Sequence, residues 1–194
     1  IQRKGSNSFE ALNEPIILDG PYSNSAFDIV CKNDKVYMII GGKDLLNGKR
    51  FDKGGYILTY DYDKWSFIDP KEAQKKLNLP RNPRDYTSIA VTTDDSNDEI
   101  VYASSMGDGV IQYKNGTPVQ SYNEKNAFKE TAGGYGSGYC YIDGLAFDKN
   151  GNLWMTSSEV NHAVLVLDKA GAWHRLDIEQ LRGVYTINDI LITS

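Results

Sequence analysis

The sequence predicts an all-β protein built from repeated four-stranded units. Short Val- and Ile-rich runs alternate with Gly, Asn and Asp, which is the pattern of strands separated by turns. Tyr, a residue that favours strands, occurs 13 times among 194 residues. The same succession of strands and turns also returns about every fifty residues, and such a repeat determines the architecture.

The third repeat shows this succession most clearly. Its strands are predicted at 142–147, 152–156, 162–167 and 173–176, and residues 148–151 between the first two have the composition of a tight turn. Two earlier segments follow the same plan, and Tyr37, Tyr102 and Trp154 occupy equivalent places after an aliphatic residue in their second strands. The blade-like units are 27–68, 87–122 and 142–176, with partial units at 1–25 and 182–194.

Repeats of four antiparallel strands with this period are typical of the blades of a β-propeller. Neighbouring blades cover both faces of each sheet, which explains why segments 36–40 and 164–167 are apolar at nearly every position. A closed ring takes roughly four to eight blades. We therefore expect one β-propeller segment, an open arc of about three four-stranded blades plus partial flanking strands.

The two ends of this arc carry further expectations. Residues 187–192 repeat the pattern of 142–147, so they are predicted as the first strand of another unit. Terminal blades would expose apolar faces, and either self-association or the rest of a parent propeller would cover them. Because the first residue is Ile1, we interpret the sequence as a piece of something longer.

The connectors between units carry the other predicted features. Residues 70–79 are predicted to form one short helix, with Asp69 as N-cap, Pro70 in its first turn and Pro80 just beyond its end. The second connector contains a glycine-rich run that ends near three tyrosines. Aromatic rings in such loops suit sugar faces or protein hot spots, so the candidate partner-binding residues are Tyr135, Tyr139 and Tyr141.

Composition excludes several classes of function. The formal net charge is −5, which argues against an electrostatic nucleic-acid binder, since such a protein needs a basic face. No apolar run reaches the ~20 residues that span a bilayer. Residues 94–98 and 148–152 resemble calcium loops only superficially and are predicted as hairpin turns. The glycine run lacks the lysine and helix of a phosphate-binding loop. The sequence predicts neither a metal site nor a cofactor.

The residues that could support catalysis are few. His162 and His174 have no partners at zinc-ligand spacing, and exposed or hydrogen-bonded positions explain them. Acids on the inner strands, Asp28, Asp143 and Asp189, would be needed by a propeller hydrolase, but a polar inner-strand position facing a central channel accounts for them. The two cysteines, Cys31 and Cys140, are expected to be buried free thiols. Large side chains that fill the space between sheets are expected at Trp65, Trp154 and Trp173.

Several motifs also resemble those of a known family. Gly144–Asp148, Gly151–Trp154 and Ala170–Trp173 resemble the blades of two-component regulator propellers of Bacteroidetes. The order of the other motifs resembles PorZ-like propellers of the type IX secretion system more closely; these motifs are 18–24, 41–42, 63–65, 102–109 and 122–126. The resemblance covers most of residues 15–192. It implies a non-enzymatic, cell-surface component linked to anchoring of secreted cargo to lipopolysaccharide, and assigns no binding residue here.

Two functions follow as hypotheses. The first is a non-enzymatic scaffold segment of an exported bacterial protein, located at the cell surface or in the periplasm. It would bind a protein or a glycan such as lipopolysaccharide in a type IX secretion or attachment complex, through loops on one face. The alternative is the periplasmic ligand-sensing propeller of a hybrid two-component regulator. An enzyme such as a glycosidase or lyase is disfavoured, because histidines are sparse and the inner acids do not align between units.

Overall fold

Each of the three blade-like units folds as a meander of four antiparallel strands. The computed structural model describes residues 2–3, 9–10, 20–128 and 138–193. Two short strands, Gln2–Arg3 (β1) and Phe9–Glu10 (β2), pair with each other ahead of the first blade. The first blade then consists of β3 (Ala26–Lys32), β4 (Lys35–Ile40), β5 (Ile57–Tyr60) and β6 (Trp65–Ile68).

The second and third blades repeat this order. The second contains β7 (Tyr86–Thr93), β8 (Glu99–Gly107), β9 (Gly109–Lys114) and β10 (Thr117–Tyr122). The third contains β11 (Cys140–Phe147), β12 (Leu153–Ser157), β13 (Val164–Leu167) and β14 (Trp173–Leu176). The end of β8 also pairs with the start of β11, through Met106 with Tyr141 and Gly107 with Cys140. The chain is therefore all-β and forms a propeller segment, as predicted.

One short helix lies between the first two blades, where the sequence places it. Helix α1 spans Pro70–Leu77, and the carboxylate of Asp69 accepts a hydrogen bond from the backbone N–H of Lys71 at 2.9 Å. Asn78 ends the helix in the left-handed conformation, with φ of 52°. Ala73 is fully buried, so the helix closes the outer side of the contact between the first and second blades.

Two apolar cores lie between the three blades, one between each neighbouring pair. The core between the first and second blades combines Tyr37 and Ile57 with Tyr86, Val101 and Ile111. The core between the second and third blades is built in the same way from residues of both sheets: Ala90, Ile100, Tyr102, Val110, Ile142, Leu145, Leu153, Met155, Leu165 and Leu167. The second blade is thus buried on both faces, which is why β7 and β8 lack the alternation of a one-sided sheet.

Inner strands β3, β7 and β11 lie side by side and are joined by polar side chains. The Asp28 carboxylate accepts hydrogen bonds at 3.1 Å from the Ser88 hydroxyl and from the N–H of Ile89. The Ser88 hydroxyl in turn accepts one from the N–H of Leu145 at 3.2 Å. This chain of contacts fixes the register of three consecutive blades at their inner edge.

The face of the first blade that is turned away from the second blade is partly exposed. Ile29 is 58% exposed and Phe67 50% exposed on the first blade, where no further blade covers them among the residues that the structure describes. Cys31 is exposed on the same strand, so the expectation that both thiols are buried is wrong for Cys31 and right for Cys140, and both are free. The difference arises because β3 is covered on one face only.

The predicted strand at 187–192 is not assigned as a strand. The segment nevertheless follows the inner strand of the third blade, since a Cβ on Gly144 would lie 2.6 Å from the backbone nitrogen of Ile190. A strand needs a ladder partner for its backbone groups, and this segment has no hairpin partner among the described residues. Residues 187–192 therefore lie where the inner strand of a further blade would lie, but the other strands of that blade are not present among the described residues.

The two segments that resembled calcium loops are hairpin turns, as predicted. The Asp148 carboxylate accepts hydrogen bonds from the backbone N–H groups of Asn150 and Asn152 and from the Trp154 indole N–H at 2.8–2.9 Å. Asp94 accepts from the N–H groups of Ser96 and Asp98 in the same way. The hydrogen bonds to Asp148 lower its pKa to about 2, and the bond from the Trp154 indole has the largest effect.

This lowered pKa predicts a pH-dependent contribution to stability. The ionised Asp148 stabilises the folded chain fully above the unfolded pKa of about 3.9, and this stabilisation is lost as the pH falls towards 2. We expect Asp148→Asn to lower the free energy of unfolding at pH 7 and to converge with the parent chain near pH 2. Urea titrations at several pH values measure this. Asp34→Asn, in the exposed turn before β4, is the matched control; equal pH dependence of the Asp148 variant and the parent would contradict the assignment.

Candidate functional site

The two ends of the blades present different kinds of chain. Strands alternate in direction, so the short turns at 33–34, 61–64, 94–98, 115–116, 148–152 and 168–172 lie at one end, here named the lower face. The longer loops and the connectors between blades lie at the other end, here named the upper face. The upper face comprises residues 41–55, 69–85, 107–109, 123–128, 138–139, 158–163 and 177–193. Loops displayed by a rigid scaffold are where propeller-like folds place recognition.

Residues 41–55 reach from the first blade to the third. Gly41 and Gly42 start this loop with φ of 140° and 92°, and a Cβ on Gly42 would overlap the ring of Phe27. The turn brings the ammonium group of Lys43 onto the carboxylate of Asp143, in β11. Side-chain exposures are 3% and 2%, so this ion pair is buried.

Asp143 holds together three parts of the upper face. Besides Lys43, it accepts a hydrogen bond from the Ser158 hydroxyl, and that hydroxyl accepts one from the N–H of Ile187 at 2.8 Å. Burial raises the pKa of Asp143, although Lys43 and Ser158 act in the opposite direction. The pair therefore connects the first blade, the third blade and the segment after it, at the cost of removing two charges from water.

A second buried carboxylate, Asp85, holds the remainder of the same loop. It is fully buried, and it accepts hydrogen bonds from Arg50 Nε and from the backbone N–H groups of Asp52 and Lys53 at 2.9–3.1 Å. Its own N–H donates to the carbonyl of Lys53 at 2.9 Å. Asp85 thereby ties the loop of the first blade to the connector that leads into the second.

Tyr139 completes this network from the second connector. Arg50 Nη1 donates to the Tyr139 hydroxyl at 2.6 Å, and the guanidinium of Arg81 lies 6.0 Å from the ring centroid. The ring lies against Gly107, where a Cβ would come within 2.8 Å of it and where φ is 120°. Only glycine fits that position while Tyr139 occupies it.

The predicted partner-binding tyrosines have three different placements. Tyr139 is half-buried within the network just described. Tyr141 is only 5% exposed, and its ring meets that of Tyr139 edge-on at 5.0 Å, so it supports Tyr139 from below. Tyr135 lies outside the described residues, as do the other members of the glycine-rich run through 137.

The inner-strand acids do not converge on one centre. Asp143 is engaged by Lys43, and Asp28 by the following blade. Asp189 accepts from the N–H of its own neighbour Ile190 at 2.7 Å, as Asp28 does from Ile29. Asp28 and Asp189 therefore make the same local hydrogen bond. Each of these carboxylates joins or positions backbone.

The histidines and tryptophans occupy peripheral positions. His174 is exposed and lies 2.7 Å from the Asp168 carboxylate at the edge strand β14, which matches the hydrogen-bonded position expected for it. The tryptophans expected to fill the space between sheets, Trp65, Trp154 and Trp173, are half-buried, and Trp173 packs against the core between the second and third blades. Trp65 stacks on Tyr60 at 4.8 Å. Trp65 and Trp173 lie on the fourth strands of their blades, far from the axis, where neighbouring sheets diverge; Trp154 lies on the second strand β12, and its indole N–H donates to Asp148.

Sequence analysis did not identify Lys43, Arg50 or Asp85. Their partners are distant in sequence, and no local motif pairs residue 43 with residue 143. The available signals were the double glycine before Lys43 and the unusual length of its loop, since both indicate a backbone that approaches another part of the fold closely.

The buried ion pair leads to a prediction about stability. We expect Lys43→Met to lower the free energy of unfolding by about 3–5 kcal/mol at pH 7, because Asp143 would remain buried and charged. Replacing both partners, Lys43→Met with Asp143→Leu, should cost much less. Urea denaturation of the single and double variants measures the coupling between the two side chains.

The direction of the Asp143 pKa shift adds a test by pH. In Lys43→Met the folded chain binds a proton more readily than the unfolded chain, so its free energy of unfolding should rise as the pH falls from 7 towards 4. A penalty that is independent of pH and equal in the double variant would show that packing, rather than charge, causes the loss.

Comparison with known proteins shows a similarity of fold. No family model and no curated protein matches the sequence. Among solved structures, PorZ from Porphyromonas gingivalis superposes with a TM-score of 0.77 at 20% sequence identity. The superposition covers 93% of this chain and 23% of the PorZ chain, so this chain spans less than a quarter of the length of that protein. The fold is PorZ-like.

Two further facts bear on the comparison. The PorZ structure is described as that of an essential bacterial surface component of the type IX secretion system. In this chain, no helix within the described residues is long and apolar enough to cross a membrane.

Proposed function

We propose that this chain is a non-enzymatic β-propeller segment of an exported bacterial protein and serves as a binding scaffold in a type IX secretion or attachment complex. The observation that carries the proposal is the immobilised upper face, where Tyr139 is held by Arg50 and Gly107 beside the glycine-rich connector. The fold it shares with PorZ, a surface component of that system, supports the cellular context.

The geometry favours recognition over catalysis. A glycoside hydrolase of the usual kind needs two carboxyl groups that face one bond across about 5–9 Å. Asp143 is instead held by Lys43 and Ser158, while Asp28 is engaged at a junction between blades. Carboxylates with these partners stabilise the fold, and neither is available as a proton donor or nucleophile in this arrangement.

A rigid support also favours binding through the upper face. Lys43 with Asp143, and Arg50 with Asp85, fix both arms of the loop 41–55. Tyr139 extends this support to the connector that contains Tyr135. Binding costs less conformational entropy when contact residues are held before the partner arrives, and tyrosine is among the residues enriched at such contacts. The partner in this proposal is a protein or a glycan such as lipopolysaccharide; Tyr135 and Tyr139 are the proposed contact residues, and the Tyr141 ring packs against that of Tyr139.

Substitution of Tyr139 tests the proposal. We expect Tyr139→Ala to reduce binding of the chain to its partner by about tenfold, since a central aromatic contact contributes roughly 1–2 kcal/mol or more. Two immobilised probes distinguish the partner classes: purified lipopolysaccharide and detergent-solubilised outer-membrane proteins, both from Porphyromonas gingivalis. Binding is measured by surface plasmon resonance, and thermal unfolding is recorded for every variant.

The matched control is Tyr62→Ala, because Tyr62 is 65% exposed on the lower face. The proposal requires that this variant bind like the parent chain. Binding to either probe that is equally strong with Tyr139→Ala, in a folded variant, would refute the role of the upper face, and no binding of the parent chain to either probe would refute the scaffold function.

A further inference from the structure

A groove opens on the lower face between the second and third blades. Its volume is about 660 Å³, within the range of roughly 300–1,000 Å³ that is usual for small-ligand sites. Its floor contains the apolar side chains of Ile100, Phe147, Leu153 and Leu167, the rings of Tyr102 and Tyr122, and Gln112, which accepts a hydrogen bond from the Tyr122 hydroxyl. The rings of Tyr122 and Phe147 are half-buried, so part of each ring faces the groove.

Two of the three carboxylates at the rim, those of Asp94 and Asp168, are already engaged within their turns, whereas the third, Asp95, is 89% exposed and lies near Lys169. Asp94 accepts from two backbone N–H groups and from Lys114 at 2.7 Å, and Asp168 accepts from the N–H of Ala172 at 2.8 Å and contacts His174. The pKa of Asp94 is lowered chiefly by Lys114, and that of Asp168 chiefly by His174, so both carboxylates remain ionised at neutral pH. These groups have little capacity left for a ligand's donors.

Two lysines at the rim, by contrast, have no ion pair or only a weak one among the described residues. Lys149 is exposed and has no ion pair or side-chain hydrogen bond within the residues that the structure describes. Lys169 lies 3.1 Å from Asp95, but the two side chains are 67% and 89% exposed, and such pairs contribute little. The groove therefore offers two ammonium groups at the mouth of an aromatic and aliphatic floor.

We propose that this groove binds a carboxylate joined to an aromatic or aliphatic apolar group. The apolar part lies on the floor beside Tyr122 and Phe147, and the carboxylate is held by Lys149 and Lys169. Such a group occurs in free organic acids and at the C-terminal residue of a peptide. The site is at the end of the blades opposite Tyr139, so it is independent of the proposed scaffold function.

In the described part of the chain, the neighbouring groove lacks an available ammonium group, so anion binding is proposed only for the groove between the second and third blades. Between the first and second blades, a cavity of about 480 Å³ also carries a lysine, Lys35. There the lysine is 2.8 Å from Glu99 and lies over the Tyr37 ring at 5.2 Å. Its charge is neutralised within the fold, so the two grooves differ in the charge that they offer to an anion.

Titration of the full chain with three probes tests the inference. The probes are N-acetylphenylalanine, its amide, and 3-phenylpropanoate, and binding is followed by the amide resonances of Gly151 and Gly171 at the groove rim. We expect saturable shifts with the two carboxylates and about fivefold weaker binding of the amide. Tighter binding of N-acetylphenylalanine than of 3-phenylpropanoate identifies a chain terminus as the ligand, whereas equal binding identifies a free acid.

Two substitutions complete the test. Lys149→Gln should weaken binding of both carboxylates about fivefold. Lys35→Gln removes the same charge from the neighbouring groove and should leave binding unchanged, with Gly116 unshifted throughout. Equal binding of the acid and the amide, insensitivity to Lys149→Gln in a folded variant, or equal shifts at Gly116 would each overturn the proposal. None of these results bears on binding at Tyr139.

Discussion

Burial of both faces of each blade is the constraint on which the rest of this fold depends. The second blade meets this condition completely, through one core shared with the first blade and another shared with the third. Apolar burial contributes about 25 cal/mol per Å², but it is not directional and does not fix register. Register comes from the inner strands, where Asp28, Ser88 and the N–H of Leu145 form one continuous chain of hydrogen bonds. Burial of apolar surface therefore holds the blades together, and a few polar contacts align them.

The same division explains how loops of different blades become one surface. Loop 41–55 leaves the first blade but is attached to the third by Lys43 and to the connector before the second by Arg50. Burying charges is costly, and it is tolerated here because each carboxylate is paired and also hydrogen-bonded. Relative movement of the blades would break those pairs. Loop 41–55 is thus fixed to the third blade and to the connector before the second, and Tyr139 is attached to it through Arg50.

Sequence reasoning recovered what local pattern encodes and missed what distant contacts create. Strand runs, the capped helix at Pro70–Leu77 and the turns at Asp94 and Asp148 depend on nearby residues, and all were predictable. The pairing of Lys43 with Asp143 depends on the curvature of three blades, which no local pattern contains. Exposure of Cys31 was missed for a related reason, because a strand pattern shows that a residue is apolar but does not show whether a neighbouring sheet is present. Tyr139 was found, since aromatic residues beside a glycine-rich connector are a local signal; its partners were not.

The upper and lower faces engage their charged side chains differently, so different groups remain on each face for contact with a partner or a ligand. On the upper face, the carboxylates of Asp143 and Asp85 are paired with Lys43 and Arg50, so contacts to a partner fall to exposed rings and backbone on the connectors. On the lower face, the turns use carboxylates to satisfy their own N–H groups, as at Asp94 and Asp168, and this leaves Lys149 and Lys169 as the groups with spare capacity. An Asp at the start of a hairpin turn is selected for turn geometry. The exposure of the Lys149 and Lys169 ammonium groups is therefore a consequence of how the turns are built.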